Sequence, residues 1–241
     1  MMNSQDLITA CGNDWAAYTQ HEFICQLGNG TLPTKAYLDY LQQDYLFLLH
    51  YARAYALQIY KSTSLAQMQE ALPSLRGLIE QEIAHHLAYC RAQGLTQQQI
   101  EQLREAPGTI AYTRFVLDTG MAADRLALMV AQAPCGLGYG EIGQALHEQS
   151  TSGDHPYQDW LDIYCGATFQ QDVRQSKVLL DSYLSDVPLH SERGQSLCRI
   201  FHTATRMEAA FWQQSLDAAK QLTQLPPSTY PRPDNKPQES A

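Results

Sequence analysis

Ala133-Pro134-Cys135-Gly136-Leu137-Gly138-Tyr139-Gly140-Glu141-Ile142-Gly143 follows an apolar helical run, Leu126 to Ala133, and the helical pattern resumes toward Leu146. Four glycines fall between residues 136 and 143, directly after a proline and a cysteine. Glycine costs a helix roughly 1 kcal/mol against alanine, and an interior proline ~3. A helical pattern that accepts such penalties needs close backbone approach there, or room for a ligand. The spacing predicts a long helix interrupted at Pro134, with Cys135 at the break. Two readings stay open on these residues alone. Either Cys135 is one more buried thiol beside glycines that let helices pack closely, or it faces a site.

Working outward, nearly every segment has the 3.6-residue period and none alternates as a strand. Residues 4–20 read as one amphipathic helix, and Gly28-Asn29-Gly30 as a turn. Thr31-Leu32-Pro33-Thr34 is a helix-entry signal opening a helix over 34–61. Its apolar stripe, Tyr37, Leu38, Leu41, Tyr45, Leu48 and beyond, includes Asp44, and a carboxylate on a core-facing stripe must find partners. A short helix at 64–71 ends before Pro73, and a helix at 75–93 bears Glu82 and His86, four apart on one face. Thr96-Gln97-Gln98-Gln99 is a capping box. After the break at Pro107-Gly108-Thr109 come a helix reaching Gly120 and the long helix around Cys135. Helices at 157–165, 168–185 and 191–223 follow, the last with Glu208 on its apolar side. One domain over 1–223 is expected, and the Pro- and Ser-rich segment 224–241 is expected to be a disordered tail.

With 241 residues, 44% of them hydrophobic, the chain can bury a full core. The net charge of −9 argues against nucleic acid or an anionic membrane as partner. No stretch approaches the roughly 20 apolar residues of a membrane span, and the start lacks a secretory pattern. Six scattered cysteines without a Cys-x-x-Cys pair suit reduced thiols, hence a cytoplasmic protein without a disulfide framework or zinc site. The interior thus receives Asp44, Glu82, His86, Cys135, Glu208 and several of 14 tyrosines, which reads as a polar site inside an all-α bundle.

The chain resembles the TenA family, thiaminase II or aminopyrimidine aminohydrolase, from about Leu7 to Leu222. The resemblance rests on Gly-Asn-Gly-Thr-Leu-Pro (28–33), Gln43-Asp44, Glu80-Gln81-Glu82 with His86, Tyr112-Thr113, Pro134-Cys135, Tyr139 and Glu141-Ile142-Gly143. It continues through His155-Pro156-Tyr157-Gln158-Asp159-Trp160, Tyr164-Cys165-Gly166 and Glu208-Ala209-Ala210-Phe211-Trp212. It implies a haem-oxygenase-like all-α bundle, a homotetramer, and a role in thiamin salvage without a cofactor or metal. It implies Cys135 as the nucleophile toward a 4-amino-2-methylpyrimidine bearing a CH₂–N substituent, and Glu208 as acid and base. Asp44 is expected to bind the aminopyrimidine, so that its partner is the ligand. Tyr112, Tyr139 and Tyr164 are expected to line the site, Phe211 to stack on the ring, and Glu82 with His86 to support from behind. One departure stands out. Phe47 occupies the place of a family tyrosine whose hydroxyl assists the cysteine, and Tyr112 is the candidate to compensate.

Two other readings compete. An oxidase on the same fold would use Glu82, His86, Asp172 and His202 as metal ligands, although helical di-iron sites use a Glu-x-x-His spacing of three, not four. A non-catalytic binder of thiamin precursors would keep the pocket but need neither Cys135 nor Glu208.

Overall fold

A computed structural model describes residues 1–149 and 155–224. Of the expected tail, 224–241, Gln224 ends the last helix and the rest lies outside the described residues. Among the described residues there are α-helices and no strand: α1 (Ser4–Ala10), α2 (Asn13–Thr19), α3 (Glu22–Gly28), α4 (Thr34–Tyr60), α5 (Leu65–Gly77), α6 (Ile83–Ala92), α7 (Gln97–Glu101), α8 (Pro107–Ala122), α9 (Arg125–Gln149), α10 (Gln158–Tyr164), α11 (Ala167–Leu184) and α12 (Glu192–Gln224). A π-helical turn, Leu78–Glu82, joins α5 to α6.

Helices α4, α8, α9 and α12 each pack against the other three and form the centre. Helices α2 and α3 lie against α9 and α12, α10 and α11 against α9, and α1 against α11 and α12. The α5–π–α6 arm lies along α4. The core is rich in aromatic rings: Trp160, Trp212, Tyr18, Tyr37, Tyr40, Tyr112, Tyr164, Phe23 and Phe201 are all fully buried. Such rings supply large apolar area, and their hydroxyls need partners when buried.

Several boundaries differ from the sequence pattern. The first helix is two, because Gly12 takes φ +56°, a left-handed conformation that ends α1 and turns the chain into α2. The segment before Gly28 is helical as α3, which the sequence reading left unassigned. Pro73 lies inside α5 rather than ending it, and α9 runs unbroken through Pro134. In both places tertiary packing outweighs the local cost of ~3 kcal/mol. Around Pro134, hydroxyls from outside the helix reach α9 carbonyls: Tyr18 donates to Pro134 O at 3.4 Å and Tyr51 to Gln132 O at 2.7 Å. Three of the four glycines, Gly138, Gly140 and Gly143, serve close approach. A methyl group at Gly138 would overlap the Tyr18 ring, and one at Gly143 the Tyr164 carbonyl. Cys135 therefore sits within a continuous helix and not at an interruption.

Candidate active site

The four central helices leave a small cavity, about 10 Å³, between them. Asp44 and Phe47 from α4, Tyr112 from α8, Cys135 and Tyr139 from α9, and Glu208 and Phe211 from α12 line it. All seven come from the sequence-derived set. Each pair drawn from one helix is three or four residues apart, the spacing that puts both side chains on one face. The thiol and the Asp44 and Glu208 carboxyls therefore share one chamber.

Each carboxyl is engaged differently. Tyr112 donates its hydroxyl to Glu208 Oε1 at 2.7 Å. Burial drives the Glu208 carboxyl up, and despite this hydrogen bond, with the charge of Asp44 adding to the rise, it reaches about 8. Glu208 is thus predominantly protonated at neutral pH. Asp44 Oδ2 pairs with His86 Nε2 at 2.6 Å, while His86 Nδ1 bonds to the Glu82 carbonyl at 2.9 Å. A carbonyl only accepts, so Nδ1 holds a proton and the remaining one lies between His86 and Asp44. Burial works against the imidazolium, but the hydrogen bond and charge of Asp44 prevail, and His86 is raised above its ordinary value. Asp44 accordingly has a protein partner as well as the one expected in the ligand, and its second oxygen is the one left for the cavity.

Behind this pair, Tyr164 donates its hydroxyl to Glu82 Oε1 at 2.9 Å. The Glu82 carboxyl is raised by burial and by Asp44, against the pull of His86 and Tyr164. Tyr164 was expected to line the cavity. It lies instead behind Tyr139, with ring centroids 4.9 Å apart, and its proton is committed to Glu82. Neither Glu82 nor His86 lines the cavity, and His86 meets it through Asp44. Tyr139 reaches Tyr40 at 3.4 Å between hydroxyls, and Trp160 Nε1 donates to Tyr40 at 3.3 Å.

The Cys135 thiol is pushed well above its ordinary range by burial of the sulfur and by the charges of Glu208, Glu82 and Asp44. Tyr51, a residue the sequence reading passed over, pulls the other way. Phe47 forms an aromatic wall with Tyr51, Tyr112 and Phe211, at centroid distances of 5.2, 4.9 and 5.7 Å. Tyr112, expected to replace the hydroxyl missing at Phe47, gives its proton to Glu208 instead. Tyr51 stands seven residues after Asp44 and four after Phe47. That same-face spacing was the available signal for it.

The ligand set for a di-iron reading is not assembled. His86 is engaged by Asp44 and the Glu82 backbone, His202 pairs with Asp14 at 2.6 Å at the surface, and Asp172 is exposed. Among the described residues no three His, Cys, Asp or Glu side chains cluster as metal ligands.

Comparison with known proteins agrees with the all-α fold. Residues 12–218 match the model of the TENA/THI-4/PQQC family. An uncharacterized protein of Haemophilus influenzae is 39% identical over 89% of this chain and 99% of its own length. An aminopyrimidine aminohydrolase of Halalkalibacterium halodurans is 31% identical over 83% of this chain and 89% of its own. A solved structure from Silicibacter sp. TM1040, described as a TenA family transcription regulator, superposes with TM-score 0.83 at 41% identity, covering 88% of this chain and 95% of that one. A domain of unknown function from Shewanella denitrificans, described as having a heme oxygenase-like fold, superposes with TM-score 0.63 at 10% identity, over 93% and 96% of the two chains, a likeness of fold alone.

Proposed function

The chain belongs to the TENA/THI-4/PQQC family, and on that premise we propose that it hydrolyses the CH₂–N bond of 4-amino-2-methylpyrimidine compounds, as a homotetramer acting in thiamin salvage. The observation that supports this most is a thiol and a protonated carboxyl lining one chamber with a second carboxyl that is already paired to a histidine. A pyrimidine ring has walls to lie against in Phe47 and Phe211. The free oxygen of Asp44 accepts from the 4-amino group, and His86 fixes the other oxygen so that the carboxylate cannot rotate away.

Cys135 sulfur adds to the ring carbon next to the CH₂-bearing one, and the thiol proton ends on the adjacent ring nitrogen, which receives the displaced electron pair. Those electrons return to expel the amine from the CH₂ group, while Glu208 gives its proton to the departing nitrogen. Glu208, now a carboxylate, takes a proton from water as the oxygen bonds to the exocyclic carbon. The ring nitrogen then returns its proton to sulfur as the C–S bond breaks. Substrate and water give hydroxymethylpyrimidine and amine, with both side chains restored. A neutral Glu208 suits this order, since the acid is loaded before the leaving group departs.

The test is a side-by-side assay of aminomethyl-aminopyrimidine, the formylamino analogue and thiamin, with ammonia release followed for the first. Turnover of at least one, abolished in a folded Cys135→Ser variant, is the expected result. Unchanged kcat in that variant removes the nucleophile assignment, and inertness toward all three substrates removes the reaction.

A further inference from the structure

Of the Gln43-Asp44 pair in α4, only Asp44 lines the cavity. Gln43 is nonetheless buried, at 6% exposure, and its amide goes to the start of α8. Helix α8 has no capping side chain of its own at Ala106. Two glutamines from neighbouring helices meet it instead. Gln43 Oε1 accepts from Ala106 N and from Thr109 Oγ1, both at 2.8 Å, while its Nε2 donates to Arg104 O at 3.2 Å. Gln214 of α12 accepts from Gly108 N at 3.1 Å and donates to Thr109 Oγ1 at 3.0 Å.

The partners fix the direction of every bond. A backbone N–H only donates and a carbonyl only accepts, so neither amide can be flipped. The one hydroxyl proton of Thr109 goes to Gln43, which leaves its oxygen to accept from Gln214. Helices α4, α8 and α12 are thereby joined by one set of hydrogen bonds centred on Thr109, which is fully buried. Gly108 belongs to the same joint: a methyl group there would stand 2.6 Å from Gln214 Oε1, inside contact distance. The joint lies one turn from the acid. Tyr112 follows Thr109 by three residues, and its hydroxyl meets Glu208, on the same helix as Gln214, at 2.7 Å. Apolar packing sets how closely two helices approach, whereas a satisfied polar network fixes their relative position. A bond between two helices depends on that position, because hydrogen bonds weaken steeply away from ideal geometry.

We infer that Gln43, Thr109 and Gln214 are positioning residues for the acid, locking α8 against α4 and α12 so that the Tyr112 hydroxyl stays on Glu208. None of the three lines the cavity. The titratable groups that face Glu208 are Tyr112 from α8, Asp44 and Tyr51 from α4, Cys135 and Tyr139 from α9, and Tyr18 from α2. Among the described residues Tyr112 is the one that donates to its carboxyl, and this bond works against the rise to about 8. Slackening the joint therefore lets Glu208 rise further.

The inference rests on Glu208 being the acid of the proposed reaction, yet its test needs no turnover. Glutamate labelled with ¹³C at the side-chain carboxyl in the full chain gives the Glu208 titration by NMR, its resonance identified by its loss in Glu208→Gln. Tyr112→Phe removes the bond outright and is expected to move the midpoint up by about one pH unit, the effect of one lost hydrogen bond to a charged group. Thr109→Val and Gln214→Leu are each expected to move it up by about half a unit, roughly threefold in the ionised fraction below the midpoint. Thr109→Ser, which keeps the hydroxyl, retains the parental midpoint. Gly108→Ala displaces the Gln214 amide without removing any partner, so it reads the joint even if Thr109→Val does not fold, and the same half-unit rise is expected. Parental midpoints in Gly108→Ala and in whichever of Thr109→Val and Gln214→Leu fold overturn the inference. So does a shift in Thr109→Ser equal to that in Thr109→Val, or an unmoved midpoint in Tyr112→Phe. Upward shifts in a chain inert toward all three pyrimidine substrates leave the joint in place and remove the reaction, and parental midpoints in a chain that turns them over do the reverse.

Discussion

Glu208 and His86 are both displaced from their ordinary proton affinities, in directions that can be read out separately. Glu208 is expected to act as an acid only while protonated, so kcat/KM should fall as pH rises through about 8. Glu208→Gln should abolish that descending limb and lower kcat by roughly 10²–10⁴, the usual worth of a positioned acid. A limb that survives the substitution assigns it elsewhere. His86 is raised in the folded state, so its pairing with Asp44 contributes stability that is fully present below its unfolded value and is lost as pH rises through the folded one. Asp44→Asn should remove that pH dependence from urea denaturation midpoints. It should also raise KM roughly tenfold or more, because it weakens a charge-assisted hydrogen bond to the substrate amine. An unchanged KM with a large loss of stability makes Asp44 purely structural. At this scale the sequence was most legible in the cavity lining: Asp44, Cys135 and Glu208 from the helical pattern, and Phe47, Tyr139 and Phe211 from the family resemblance. It was least legible in the tyrosines. Whether Tyr112, Tyr164 or Tyr51 bonds Glu208, Glu82 or the Gln132 carbonyl is decided by which helices meet, and no local pattern encodes that.

Helix α9 shows how an element can look broken in sequence and be whole in space. Pro134 and four glycines predict an interruption because local propensity is all a single segment displays. The structure supplies what propensity lacks: tyrosine hydroxyls on nearby carbonyls, and neighbours pressed against Gly138 and Gly143. Substitution separates the two roles that glycine can have here. At Gly136 an added methyl meets nothing within 4 Å, so Gly136→Ala should stabilise the protein by ~0.5–1 kcal/mol through helix propensity. Gly143→Ala gains the same propensity but collides with the Tyr164 carbonyl, and overpacking of this kind costs ~1–3 kcal/mol. Urea titration of the two variants should give shifts of opposite sign. Two stabilised variants would mean that the approach of α10 to α9 is slack. Gly12 and Pro73 teach the same lesson from the other side. A left-handed glycine divides a pattern that reads as continuous, and a proline is carried through because the arm that holds it packs along α4.

For the whole molecule, the arrangement that isolates the site also poses the question of entry. The cavity is ringed by α4, α8, α9 and α12, each packed against the other three, so none of these can move without disturbing the centre. The α5–π–α6 arm is different. It packs chiefly along α4 and leaves Leu65, Met68, Leu72 and Ile79 exposed. Beyond α4 it has polar ties: Glu70 to Arg125 at 2.9 Å and to Tyr183 at 2.8 Å, and Glu82 to Tyr164 at 2.9 Å. A π turn within a helix is a local mismatch that often marks a functional position, and here it presents Glu82 beside the Asp44–His86 pair. Segments with little buried apolar contact open at low free energy. Amides in residues 65–92 are therefore expected to exchange with solvent faster than those in the middle of α9 and α12. Saturating hydroxymethylpyrimidine should slow the arm's exchange, because a ligand held by Asp44 tightens the His86 and Glu82 contacts through which the arm closes on α4. Exchange that slows first in α8, with residues 65–92 unaffected, would place the way in between α8 and α12 instead.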